Sequence, residues 1–217
     1  MRALSVATAI RRAVSAGEYF PGEKLNEVTT SERFSVSRNT LREGFALLDA
    51  DGIIERIPNR GVFIASPTPD SVSDLYRARA VIEPAALWWG PDLDTAALDA
   101  AVRDAEDAVS RQDYSAAGLA NQRFHRAVVA AAGSPLLDDE TDRLLARMRL
   151  VFLQAEKVRH DFHRQFVPVN REIADLVSGG RRQDAATRLR ESLTETGLQL
   201  RELVETVGGN RRLPAPS

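Results

Sequence analysis

Apolar positions recur at helical spacing over most of this chain and leave that spacing for one short stretch. Periodic segments cover 4–16, about 26–34 and 37–50, with "GEYFPGEKL" between the first two read as a turn from Gly17, Pro21 and Gly22. "GIIERIPNRGVFIA" then sets two β-branched, apolar runs, 53–57 and 62–65, around "PNRG", which predicts a small hairpin. "SPTPDS" at 66–71 brings two prolines and capping residues, and marks a domain boundary. Beyond it the pattern predicts helices at about 71–89, 94–111, 114–132, 135–157, 160–178 and 181–207, broken at Pro91, Gly133-Ser134-Pro135 and Gly179-Gly180. Short loops between about six helices imply an antiparallel bundle.

Within 37–50, Leu41, Phe45 and Leu48 form one buried stripe, so Arg38, Asn39, Arg42 and Ala46 occupy the adjoining, outward arc. Ser37 can cap that helix, and Ser35-Val36 is a tight connection from the helix before it; two short helices so joined form a helix-turn-helix. Such a unit offers the first turns of its second helix to the DNA major groove, where Arg reaches guanine or phosphate and Asn reaches adenine. The hairpin, with Arg60 and Gly61 at its tip, makes the wing: glycine allows close backbone approach and the cation suits phosphate. The expected fold is mainly α, with a winged helix-turn-helix domain at 1–66, an all-helical bundle at 67–208 and a disordered tail at 209–217.

Composition changes this picture little. The 217 residues are 43% hydrophobic, enough for buried cores, and the net charge of -2 provides no sequence-wide field for nucleic acid or membrane, so any DNA contact must be local. There is no cysteine, which excludes disulfides, thiolate metal sites and cysteine nucleophiles. Arg11 and Arg12 interrupt the apolar residues near the start, unlike a secretory signal, and the longest apolar run, 127–133, is too short to span a bilayer. A soluble, cytoplasmic protein without membrane partners is expected.

An exposed arginine pair alone is more often a solvated face than a DNA reader. Here, however, "GEYFPGEKL", "SVSRNTLRE", "LLDADGIIE" and "NRGVFI" stand in the order and spacing of the DNA-binding domain of the GntR superfamily of bacterial transcription regulators, and the resemblance covers 4–65. It implies that Ser37, Arg38, Asn39, Thr40, Arg42, Arg60 and Gly61 contact double-stranded operator DNA. Many members carry Thr-Pro-Val where this chain has Asn39-Thr40-Leu41, which implies a different preferred base sequence. Gly44 stands where alanine is usual, and glycine inside a helix costs about 1 kcal/mol relative to alanine, so a softer recognition helix is expected.

"DLYRARAVIEPAAL", 74–87, resembles the opening of the all-helical (FCD-type) ligand domain of the FadR branch, where an arginine followed four residues later by glutamate recurs, here Arg79 and Glu83. The pair reads either as a helix-stabilising i,i+4 contact or as an inward arginine that binds an acid. Asn121 and His125 share the helical stripe of Val128 and Ala132, Asn170 that of Ile173, Ala174 and Val177, and Ser192 that of Leu189, Leu193, Thr196 and Leu200. One histidine so placed is usually a satisfied core residue, but unpaired buried polar groups cost about 1–3 kcal/mol each, so several in one bundle point to a polar pocket.

Many members of this branch bind a metal there through an aspartate and three histidines. By position this chain offers Asn121, His125, Asn170 and Ser192, a poor donor set, so no metal and no cofactor are expected. The pocket is expected to bind a small organic effector, a carboxylate or an acyl thioester, through Arg79, Asn121, His125, Asn170 and Ser192, with Arg149 or Arg147 as further cations. His160 and His163 lack a third strong ligand and are expected in solvent.

The function so implied is a homodimeric, ligand-responsive repressor that binds a pseudo-palindromic operator and is released by its effector. The rival readings are a helical ligand-binding or interaction module without specific DNA binding, and an enzyme. The enzyme reading has no phosphate loop, nucleophile elbow or complete metal triad to support it.

Overall fold

The computed structural model describes residues 2–209, and these divide into two compact units, one of residues up to 67 with 145–154 and one of 68–144 with 155 onward. In the first unit, α1 (Arg2–Ser15) buries Val6, Ala7, Ile10, Ala13 and Val14. A two-residue strand β1 (Lys24–Leu25) leads into α2 (Glu27–Arg33), whose start is capped by Asn26 accepting from the Val28 and Thr29 amides. Ser35, with φ of 53°, makes the left-handed step of the turn into α3 (Arg38–Ala50), where the Ser37 hydroxyl accepts from the Thr40 amide at 3.1 Å.

The hairpin is β2 (Ile54–Ile57) and β3 (Gly61–Ile64), antiparallel with Ile54 opposite Ile64 and Ile57 opposite Gly61. Asn59 and Gly61 at its tip take φ of 60° and 113°, conformations open to asparagine and glycine. The other edge of β3 is covered by β1, with Leu25 opposite Val62, which the sequence reading treated as turn. Val6, Ile10, Leu41, Phe45, Leu48, Ile53, Ile54 and Ile64 form the core of this unit, joined by Ala146 and Leu150.

Gly44 has a packing role that its helix position did not suggest. A Cβ there would stand 2.6 Å from Val6 Cγ1 and 3.3 Å from the Ala3 carbonyl oxygen, so α1 and α3 meet where only a hydrogen fits. Gly44→Ala should gain about 1 kcal/mol in helix propensity and lose about 1–3 kcal/mol to overpacking. Urea unfolding should therefore report a net loss near 1 kcal/mol; a gain would refute the contact.

The second unit comprises α4 (Pro69–Trp89), α5 (Thr95–Ser110), α6 (Tyr114–Ala130), the ends of α7 (Pro135–Glu156), a short 3-10 turn (Phe162–Gln165), α8 (Phe166–Ser178) and α9 (Arg182–Gly209). Thr68 and Ser71 form a capping box at the start of α4, and Asp94, Asp113 and Ser134 cap the next three helices. α4 lies along α9 so closely that a Cβ at Gly197 would come within 2.7 Å of Tyr76 Cβ. α6 packs on α4 and α5, and α8 on α5 and α9.

The helix expected from 160 begins instead at Phe166. Pro168 explains the delay: within a first turn its missing N–H is harmless, whereas in a helix running from 160 it would remove a bond and press on the carbonyl of residue 164. The expected disordered tail falls on Gly209, which closes α9, and on 210–217, which lie outside the described residues.

Candidate nucleic-acid interface and effector site

In the first unit, Ser37, Arg38 and Asn39 are exposed at the start of α3, and Thr40 is half-buried with its hydroxyl 2.9 Å from that of Ser37. Arg38 makes no hydrogen bond or ion pair among the described residues, and Asn39 Nδ2 donates to Glu43 Oε1 at 2.9 Å. The Arg42 side chain is 62% exposed and is gripped from one edge by Glu27 of α2: Nε lies 3.1 and 3.0 Å from the two carboxylate oxygens and Nη2 lies 2.9 Å from Oε2. Hydrogen bonding to Arg42 holds the Glu27 carboxyl below its ordinary pKa, assisted by the charges of Arg42, Arg38 and Arg56.

At the wing, Arg60 is exposed with its guanidinium 5.7 Å from the centre of the Phe63 ring, and Lys24 Nζ stands 5.9 Å from the same ring. A Cβ at Gly61 would meet Lys24 Cε at 3.3 Å. Arg56 of β2 donates to the Arg42 carbonyl at 3.2 Å, which ties the hairpin to α3 and adds a cation beside it. The sequence reading named neither Arg56, Lys24 nor Glu27. Arg56 follows exposed Glu55 on a strand whose other residues turn inward, and Lys24 was hidden in the supposed turn.

In the second unit, Arg79 and Glu83 are buried on α4, Asn121 and His125 on α6, and Asn170 on α8. Arg79 Nε donates to Glu83 Oε1 at 2.6 Å, and the other carboxylate oxygen lies 2.7 Å from His125 Nδ1. Asn170 Nδ2 donates to Asn121 Oδ1 at 2.8 Å. Arg79 is thus inward and also paired. Glu83 was not expected as a site residue, and it is the group that joins Arg79 to His125.

Burial pushes the Glu83 carboxyl up, but Arg79 and His125 together outweigh it and bring its pKa down to about 2. Burial lowers the His125 pKa more than Glu83 raises it, so the ring is neutral at pH 7. An ionised carboxylate only accepts, so Nδ1 carries the proton and Nε2 is left as an acceptor. The Arg79 guanidinium lies 4.8 Å from the centre of the Tyr76 ring, and burial pushes the Tyr76 hydroxyl up to about 12. Arg79 and the Tyr76 hydroxyl interact with each other, whereas Gln122 Nε2 is buried with no hydrogen-bond partner among the described residues.

The remaining expected residues stand differently. Ser192 is half-buried on α9. Arg149 belongs to the 145–154 segment of the first unit, where its guanidinium lies against Gly17, and Arg147 lies against Gly52. Residue 149 shares a face of α7 with Ala146 and Leu150, both in the first unit's core. His160 is exposed, but His163, expected in solvent, is buried with Nε2 2.8 Å from Glu156 Oε1, because the 3-10 turn carries Phe162 and His163 inward together.

The donor set does not fit the metal site of the wider branch. Asn121 Oδ1 accepts from Asn170, His125 Nδ1 faces Glu83, and no group of three or more His, Cys, Asp or Glu side chains among the described residues could hold a metal ion. Nor is any described helix long and apolar enough to cross a membrane.

Comparison with known proteins finds matches to both parts of the chain. Residues 2–64 match the model for "Bacterial regulatory proteins, gntR family", and 74–195 match the FCD domain. A solved structure described as a GntR transcriptional regulator from Rhodococcus sp. RHA1 superposes with a TM-score of 0.81 at 30% identity, over 92% of this chain and 97% of that one. The galactonate operon transcriptional repressor of Escherichia coli is 29% identical over 158 residues, 63% of this chain and 69% of its own. An HTH-type transcriptional regulator from the TAR-I ttuE-ttuC' intergenic region of Agrobacterium vitis is 29% identical over 131 residues, 57% of this chain and 77% of its own. These relatives are regulators, not enzymes, and the chain belongs to the gntR family of bacterial regulatory proteins, as a transcriptional regulator with a helix-turn-helix DNA-binding domain and an FCD effector-binding domain.

Proposed function

We propose that the protein is a cytoplasmic repressor that holds a pseudo-palindromic operator as a homodimer and lets go when a small organic effector enters the cluster around Arg79, Asn121, His125, Asn170 and Ser192. The observation that carries the DNA half is the outward row of Ser37, Arg38, Asn39, Thr40 and Arg42 on a capped helix, with Arg60 and Gly61 on the wing. Arg38 and Asn39 read base edges in the major groove, and Arg60 approaches the neighbouring phosphates. The relatives described as repressors favour repression as the sign of regulation.

Two features support the dimer. A single recognition helix reads too few base pairs for specificity, and two-fold symmetry doubles them. The α4–α9 face also exposes Val81 and the stacked Trp88 and Trp89, beside a depression of about 390 Å³ lined by Pro84, Ala186 and Arg190, an apolar surface suited to a second copy.

For the effector, the cluster offers a guanidinium already neutralised by Glu83, an imidazole acceptor and two amides. A hydroxylated carboxylate matches that set, and an acyl thioester is the other class in play. An effector with higher affinity for the DNA-incompetent arrangement shifts the population and empties the operator.

The test is selection from a random duplex pool with purified protein, followed by sedimentation of the protein alone and on the selected DNA. A two-fold-symmetric site with half-sites about one helical turn apart, bound by a dimer, is the expected result; absence of any enriched sequence at low salt rejects the reading. The selected duplex is then challenged with a panel of hydroxy acids and acyl thioesters. His125→Ala should keep operator affinity within about twofold and lose release by whichever compound acts on the wild type; release that persists unchanged removes His125 from the site.

A further inference from the structure

The Arg42–Glu27 pair does something that neither residue suggests alone. A guanidinium has five N–H donors, arranged in a side edge, Nε with one hydrogen of Nη2, and an end edge formed by Nη1 and Nη2. Glu27 takes the side edge at 3.0, 3.1 and 2.9 Å, so the plane of Arg42 is fixed from behind while its end edge remains available on a side chain 62% exposed. Glu27 is itself anchored: it is the first residue of α2, next to the Asn26 cap, with its side chain only 32% exposed. Its charge also cancels that of Arg42, whereas Arg38, one turn earlier, makes no ion pair among the described residues.

We infer that Glu27 is a specificity-determining residue for DNA recognition: it aims the end edge of Arg42 at the operator and suppresses the attraction of Arg42 for phosphates in general. Non-specific binding is driven by cationic side chains releasing counterions from the DNA backbone. A neutralised arginine adds little to that term. Its pre-set fork still forms two parallel hydrogen bonds where a guanine edge or one particular phosphate is correctly placed, with less ordering cost than a free side chain pays. The two arginines thereby differ in what they add: Arg38 brings net charge together with its fork, and Arg42 brings the fork with its charge already cancelled.

The inference rests on the DNA-binding reading above, and the experiment distinguishes the failure of one from the failure of the other. Wild type, Glu27→Gln and Glu27→Asp are titrated by fluorescence anisotropy against the wild type's own selected duplex and a scrambled duplex of equal length, between 50 and 200 mM salt. If the wild type does not distinguish the two duplexes, the DNA-binding reading fails. If it does, Glu27→Gln should bind scrambled DNA severalfold more tightly at low salt, steepen the salt dependence by about one counterion and reduce the operator-to-scrambled ratio by about tenfold.

Glu27→Asp keeps the charge but is one methylene short of the grip, so it should keep the wild-type salt slope and lose severalfold in operator affinity. An unchanged ratio and slope in Glu27→Gln overturns the inference. So does operator affinity at the wild-type level in Glu27→Asp, since aim would then not matter. Circular-dichroism melting of each variant confirms the fold, and the salt slope is a readout that a purely structural role for Glu27 would not move.

Discussion

Glu83→Ala is expected to destabilise the helical unit by about 3–5 kcal/mol, because it leaves the buried Arg79 guanidinium without its counter-ion. The same carboxylate also accepts from His125 at 2.7 Å, so one truncation removes both bonds of a fully interior pair of partners. Urea unfolding at pH 7 measures the loss. Arg79→Met combined with Glu83→Met should recover most of it, since a buried ion pair replaced by apolar groups of similar size is often close to neutral. A single-substitution loss below about 1 kcal/mol would show that solvent reaches the pair.

Acid should act on the same contacts. Glu83 in the folded chain titrates near 2, below its ordinary 4.5, so its contribution is complete above about pH 4.5 and is lost as pH falls through that range toward 2. His125 has its pKa lowered by burial, so the unfolded chain takes up a proton first as pH falls below 6.5, which also weakens the fold. Both groups make stability fall with pH. The Glu83→Ala difference should therefore be largest near neutrality and shrink below pH 4.5, which unfolding curves at pH 7, 5 and 3.5 will follow.

Arg38→Ala is expected to lower operator affinity by about 10- to 100-fold, the equivalent of 1–3 kcal/mol for a side chain that reads a base edge. Among the described residues this guanidinium makes no hydrogen bond or ion pair, so its removal breaks none and folding stability should stay within about 0.5 kcal/mol. Arg38→Lys separates charge from geometry. It should restore the salt dependence while leaving discrimination at the contacted base pair impaired, because an ammonium lacks the planar fork. Wild-type affinity in Arg38→Ala would remove the first turn of α3 from the interface.

Periodicity made the long helices and the hairpin legible, and capping chemistry located the start of α3 at Ser37 within a residue. It also put Asn121, His125 and Asn170 on buried stripes, since in each case the flanking apolar residues outnumber the polar one. What it could not supply was the partner. Glu83 and His125 are 42 residues apart, and the i,i+4 spacing to Arg79 looks the same on a wet surface as in a dry interior.

Arg149 was ambiguous for the opposite reason. From 145 to 155 nearly every side chain of α7 is buried, so no polar arc remains to tell which face points where. β1 is two residues long, too short for any period, and becomes a strand only because β3 offers it an edge. The delayed start of α8, by contrast, was written in Pro168, whose tolerated position near a helix start sets that boundary.

The seam between Gly44 and Val6 binds two distant positions into a single volume. Room for one methyl group exists at that crossing, and Val6 already holds it. A chain that gained alanine at 44 would relieve part of the strain by giving up bulk at 6, so the two sites drift most freely as a couple.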